Sequence, residues 1–107
     1  MTVEKIILLV DSTVENDICE ETKLDWICNV EGLVLSEIHK KRADEIALPR
    51  RGCDALSLPD AYASVYLLYL SAMVEFSKGS YDSFAKINAE FEKAFSTYAR
   101  YYIRSRG

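Results

Sequence analysis

Proline, glycine and histidine are scarce in this chain, and long apolar runs are missing. Two prolines, Pro49 and Pro59, and four glycines in 107 residues leave no Pro/Gly/Ser-rich linker or low-complexity segment, so the chain reads as one folded domain over residues 1–107. The longest purely aliphatic run, Ile6 to Val10, is far short of the ~20 residues that cross a bilayer. Glu4 and Lys5 before it do not form a secretory leader. The expectation is therefore a soluble, intracellular protein with no membrane partner. Cys19, Cys28 and Cys53 are odd in number and form no close-spaced pair, which excludes a disulfide framework and a Cys-x-x-Cys redox or zinc motif and predicts reduced, buried thiols.

Catalytic vocabulary is equally thin. His39 is the only histidine, and it stands beside Lys40 and Lys41 at an expected helix end. There it reads as a solvated or helix-capping residue, and neighbouring cations disfavour its protonated form and recruit no metal. The chain has no phosphate-binding Gly-x-x-x-x-Gly-Lys loop, no Gly-x-Ser-x-Gly elbow, no His-Glu-x-x-His and no dinucleotide fingerprint. The carboxylates Glu15, Asp17, Glu20, Glu21 and Asp25 lack the ligand spacing and central glycine of a calcium loop. No catalytic residue, cofactor or metal site is expected, and the chain does not read as an enzyme.

Charge is present but unevenly spread. The net charge of -4 divides into an acidic segment, with nine carboxylates against two lysines in residues 1–37, and a basic one, with five cations against two carboxylates in residues 38–53. Residues 54–107 are balanced. An acidic chain has no global attraction to phosphate, which excludes free duplex DNA as an expected partner. The cations group as Lys40, Lys41, Arg42, Arg50 and Arg51, and as Arg100, Arg104 and Arg106 near the end. Solvated helix ends and a binding patch both account for them.

Helical periodicity fills most of the rest. Thr2 is placed to cap a first helix running to about Thr13, whose apolar residues Val3, Ile6, Ile7, Leu9 and Val10 cover more than one face, so that it is expected to be buried or docked. Asp17 and Glu20 have capping-box spacing, which predicts one long helix from there to about Lys41, with Leu24, Ile27, Cys28, Val34, Leu35 and Ile38 on a broad apolar face. Residues 43–58, punctuated by Pro49, Gly52 and Pro59, suggest a structured loop or a small β-hairpin. Pro59 and Asp60 suit a helix start, and Tyr62, Val65, Tyr66, Tyr69, Leu70, Met73 and Phe76 follow at helical spacing until Gly79. Ser80 caps a last helix with Phe84, Ile87, Phe91, Phe95, Tyr98 and Tyr102 in one stripe. The fold class is all-α, with four to five helices and the last two joined as an antiparallel hairpin across Gly79-Ser80. Seven tyrosines are more than a core of this size buries completely. Tyr62, Tyr69, Tyr81, Tyr101 and Tyr102 are candidates for an interface, or for edge-of-core positions with wet hydroxyls.

The C-terminal half, with Pro59, Tyr62, Tyr66, Gly79, Tyr81, Asp82, Asn88, Phe91, Tyr98 and Arg100 in order, resembles a family of small helical proteins of tailed phages and prophages of Gram-positive bacteria. WICNVEGLVLSEI, Trp26 to Ile38, resembles that family's long second helix. Such proteins are similar to head-tail connectors, or head-completion proteins, that form a ring beneath the portal. The resemblance implies a structural role without catalysis, a homo-oligomeric ring on a portal template, and portal and tail-side proteins as partners. It also implies a location in the host cytoplasm during assembly and at the head-tail junction of the virion afterwards. The charge segments suggest how subunits would meet, with Asp17, Glu20 and Glu21 of one against Lys40, Lys41, Arg42, Arg50 and Arg51 of the next, and with Tyr62, Tyr69, Tyr101, Tyr102 and Arg104 as further interface candidates. The alternative is a small helical interaction module, or a phage-borne regulator that binds a host protein.

Overall fold

The computed structural model describes residues 1–106. Its first helix, α1 (Val3–Thr13), begins where Thr2 Oγ1 accepts the Lys5 amide at 3.3 Å. Of its apolar residues, Val3, Ile6, Ile7 and Val10 are buried, the one-face spacing of an amphipathic helix, whereas Leu8 and Leu9 stay exposed because only one side of the helix meets the rest of the chain. The first amides of a helix have no intrahelical acceptor. Here the loop supplies them, with Asp54 O receiving Val3 N at 3.1 Å and Gly52 O receiving Glu4 N at 2.9 Å. Beside these bonds Thr2 and Ala55 form a single antiparallel bridge. The segment 43–58 is thus a loop built onto the start of α1, with one 3₁₀ turn at Ala43–Glu45. No strand forms among the described residues.

The second helix, α2 (Glu20–Leu33), starts later than the Asp17–Glu20 spacing predicts. Cys19 is the N-cap residue and no side chain caps it. Upstream, Asn16 Oδ1 accepts the Ile18 amide at 3.1 Å, a local side-chain-to-backbone bond that competes with helix and leaves Asp17 outside. Past Leu33 the helix widens into a π turn, Val34–Ile38, in which His39 N bonds Val34 O at 3.0 Å. Lys40 follows with φ 60°, left-handed backbone that a lysine adopts at a cost of roughly 1–2 kcal/mol. Lys41 N then returns to Leu35 O at 2.9 Å. The expected extension to Lys41 is therefore cut at Ile38, because the left-handed Lys40 backbone turns the chain out of the helix.

Pro59 leads a 3₁₀ turn, Asp60–Tyr62, into α3 (Ser64–Ser77). The buried residues of α3, Val65, Tyr66, Leu70, Ala72 and Val74, point in several directions around its axis, the mark of a helix covered all round. It is the central element, with α1 and α2 packed on it from one side and α4 (Tyr81–Arg106) from another. Between α3 and α4, Gly79 takes φ 79° while Ser80 N bonds Glu75 O at 3.0 Å, a left-handed closure in which glycine carries no Cβ penalty. Ring pairs then join the two helices. Phe76 meets Phe84 at 5.2 Å, Tyr69 meets Phe91 at 5.3 Å and Tyr62 meets Tyr98 at 5.1 Å between centroids, so the helices run in opposite directions. The fold is all-α, and no helix is long and apolar enough to cross a membrane among the described residues.

Two charged side chains are buried. Lys23 of α2 is 4% exposed and its Nζ lies 2.6 Å from Asp11 Oδ1 of α1; that hydrogen bond holds the Asp11 carboxyl below its ordinary range. Glu31 is 3% exposed and faces no cation. It accepts three hydrogen bonds instead, from Ser57 N and Ser57 Oγ at 2.8 Å each and from Tyr66 Oη at 2.6 Å. Tyr66 Oη in turn accepts the Leu58 amide at 3.1 Å. A buried charge needs such donors if it is to stay buried, and the result is a polar knot that ties α2, α3 and the loop together. The expected burial of thiols fails at Cys19 and Cys53, which are exposed on irregular backbone; Cys28, half-buried, bonds Pro49 O at 3.3 Å.

Candidate functional site

The π turn decides what stands at the end of α2. By ending the helix at Ile38 it places His39 and Lys40 beside the last turns of α4. The His39 Nε2 atom lies 2.7 Å from Tyr98 Oη, and its ring stacks on Tyr102 with centroids 4.3 Å apart. Tyr62 packs on Tyr98 and, at 5.0 Å, on Tyr101. The Arg106 guanidinium sits 5.2 Å above the Tyr102 ring and bonds its hydroxyl, a cation over an aromatic face. Around this cluster opens a cavity of about 520 Å³, with Glu37, Ile38, His39 and Lys40 on one wall and Ala99, Tyr102, Ile103 and Arg106 on the other. His39 is the C-cap of the turn, as a helix-capping reading has it, but it is half-buried rather than solvated. Burial pushes the His39 imidazole below its ordinary value, with Lys41 and Arg106 adding to the effect and Glu31 opposing it. Burial likewise raises the Tyr98 hydroxyl. The cluster offers ring stacking, of His39 on Tyr102, and a hydrogen bond between the imidazole and the Tyr98 phenol.

The predicted site residues divide between several places. Tyr62, Tyr101 and Tyr102 come together with Lys40 at this end, and Arg104 projects from the same turns of α4, exposed. Tyr69 lies apart, half-buried against Phe91 in the α3–α4 seam, and Tyr81 is 61% exposed at the opposite end beside Phe76. Arg42 faces Asp44 and Glu45 at 3.6 and 3.5 Å, and Arg51 faces Asp54 at 3.7 Å. These are exposed pairs of small energetic weight. Asp54 Oδ2 also accepts the amides of Arg50 and Arg51, which holds its carboxyl below the ordinary range. Lys40, Lys41 and Arg50 have no carboxylate within 4.0 Å among the described residues. Asp17, Glu20 and Glu21 are exposed. Glu20 joins Glu4, Asp11 and the bare Leu8 in a groove of about 310 Å³ beside Gly52. Sequence reasoning did not single out His39, Tyr98 or Ile103 as site members. The pairing of His39 with Tyr98 joins positions 59 residues apart, and no local period signals it.

A second groove, about 350 Å³, lies between α2 and α4. It is lined by Leu33 and Glu37 on one side and Phe91, Glu92, Phe95 and Ser96 on the other. No three of His, Cys, Asp and Glu gather as a metal site would require among the described residues. These surfaces give a helical protein open grooves of unlike chemistry. No protein-family model, no curated protein and no solved structure matches the chain.

Proposed function

We propose that the chain is a structural assembly protein of a tailed phage or prophage, a head-tail connector whose copies join head to tail into a ring between portal and tail. The observation that carries this reading is that a groove lined by the carboxylates Glu4, Asp11 and Glu20 and an aromatic cavity bearing the cations Lys40 and Arg106 beside Glu37 lie at different places on the molecule. On the first face, Glu4, Glu20 and the bare Leu8 share a groove at α1. On the second, Lys40 and Arg106 rim an aromatic cavity between the ends of α2 and α4. A contact between two unlike patches repeats from copy to copy and closes when the rotation permits. The family resemblance of the α2 and α3–α4 sequences supports the placement at the head-tail junction. Net acidity of the chain suits a channel through which DNA slides without adhering.

The test is electron microscopy of a lysate from a prophage with an early stop codon in this gene. The expected picture is filled or leaking heads lying apart from complete tails. Normal joined virions would overturn the connector reading and leave a helical module that binds a host protein.

A further inference from the structure

The groove between α2 and α4 is a place the fold leaves uncovered. The helix α4 packs chiefly on α3 and only marginally on α2, so Leu33 and Ile103 stand 40% and 68% exposed. The two cavities along it share Glu37 and follow α4 in steps of three and four residues, so they form one track. From Glu92 to Arg106 it measures roughly 21 Å at helical rise, long enough to seat three or four turns of a second helix in the manner of a helix in a groove. Its rim changes sign along its length, from Glu92 at one end, past Glu37 where the two cavities meet, to Lys40 and Arg106 at the other.

One helix of this chain has the complementary order. On α1, Leu8 and Leu9 are 61% and 38% exposed, with the exposed Lys5 between them in angle one turn before, the exposed Glu4 and Asp11 about a quarter-turn to the side of that face, and the exposed Glu15 and Asp17 just past the helix end. The negative end of the helix dipole lies on the same side as those carboxylates. Within one subunit α1 packs on α2 and α3, away from α4, so its leucine face and the groove are separate surfaces that meet only between copies. We propose that the groove seats α1 of a second copy, parallel to α4. Leu8 and Leu9 enter between α2 and α4, Lys5 lies against Glu37 and Glu92, and Glu15 and Asp17 lie against Lys40 and Arg106. This rests on the head-to-tail reading and names the contact that makes it.

Two single substitutions at exposed positions, Leu8→Glu and Ile103→Glu, test it by sedimentation velocity over a concentration series, with circular dichroism confirming that each variant keeps its helix content. Wild-type protein is expected to form concentration-dependent oligomers and each variant to remain a monomer. An equimolar mixture of the two should yield a one-to-one dimer and nothing larger, because only one intact α1 and one intact groove are then available per pair. Variants that assemble like wild type would overturn the groove while leaving a head-to-tail ring with its contact elsewhere. A mixture that stays monomeric would also overturn it, and so would wild type that stays monomeric at every concentration; the connector reading is then decided separately by the lysate.

Discussion

At the scale of single residues, the polar knot around Glu31 is the point where a small change should cost most. Removing one hydroxyl in Tyr66→Phe keeps the ring but strands the Leu58 amide and one lone pair of a buried carboxylate. A buried group left unpaired costs about 1–3 kcal/mol, and urea denaturation should show that loss without a change in the slope of the transition. An unchanged midpoint would mean that water replaces the phenol. Burial raises the Tyr66 hydroxyl well above its ordinary value, so it remains a donor to Glu31 throughout the working pH range. His39 behaves in the opposite sense. Its folded pKa lies below the ordinary value of about 6.5, so between the two values the unfolded chain binds the extra proton. Stability from this source is present above the unfolded pKa and is lost as pH falls through the folded one. The melting temperature of wild type is thus expected to fall between pH 7 and pH 5 by more than that of His39→Gln; parallel curves would remove the histidine from the account. Neither residue's role was legible in the sequence. A glutamate inside an apolar stretch of α2 looks like any solvent-facing acid until its donors, 26 and 35 residues away, are known.

At the scale of elements, periodicity located all four helices, and local chemistry decided their ends. Thr2 caps α1 as its side chain suggests, and Gly79 closes α3 because the turn requires positive φ. The start of α2 was misread because Asn16, a residue before the apparent cap, takes the backbone bond first. Its end was misread because a π turn leaves no mark in a pattern of apolar residues; the same residues face inward whether the turn is tight or wide. The aromatic stripe of α4 was legible in type more than in depth. Of its members only Phe91 and Tyr98 are buried, since α3 covers a single face. Phe91 lies 8% exposed between Tyr69 and Phe95, and Phe91→Ala is expected to cost about 3–5 kcal/mol, read as a large drop in melting temperature. A melting curve like that of wild type would take Phe91 out of the core.

At the scale of the whole molecule, charge segregation was legible as a count along the chain, whereas its placement in space was not. The basic loop residues Arg50 and Arg51 lie near the acidic start of α1, because carbonyls of that loop receive the first α1 amides. The cations that gather at the aromatic cavity come instead from two distant segments, Lys40 and Arg106. Reversing Lys40 and Arg106 to glutamate together should weaken assembly in sedimentation while the helical dichroism stays, whereas reversing Lys41, Arg42, Arg50 and Arg51 should leave it as before; the opposite outcome would place the contact on the loop cations instead of the cavity. The docking of loop 52–56 onto α1 also sets an order in time. The α3–α4 pair is joined by neighbours in the chain, whereas the bonds from residues 52 and 54 to the first turn of α1 close a loop of about 50 residues, whose entropy must be lost before any contact rewards it. The C-terminal half should therefore acquire amide protection first in pulse-labelled refolding and the N-terminal half should anneal onto it. Protection that rises at the same rate in α1 and α3 would instead mean that the molecule closes in one step.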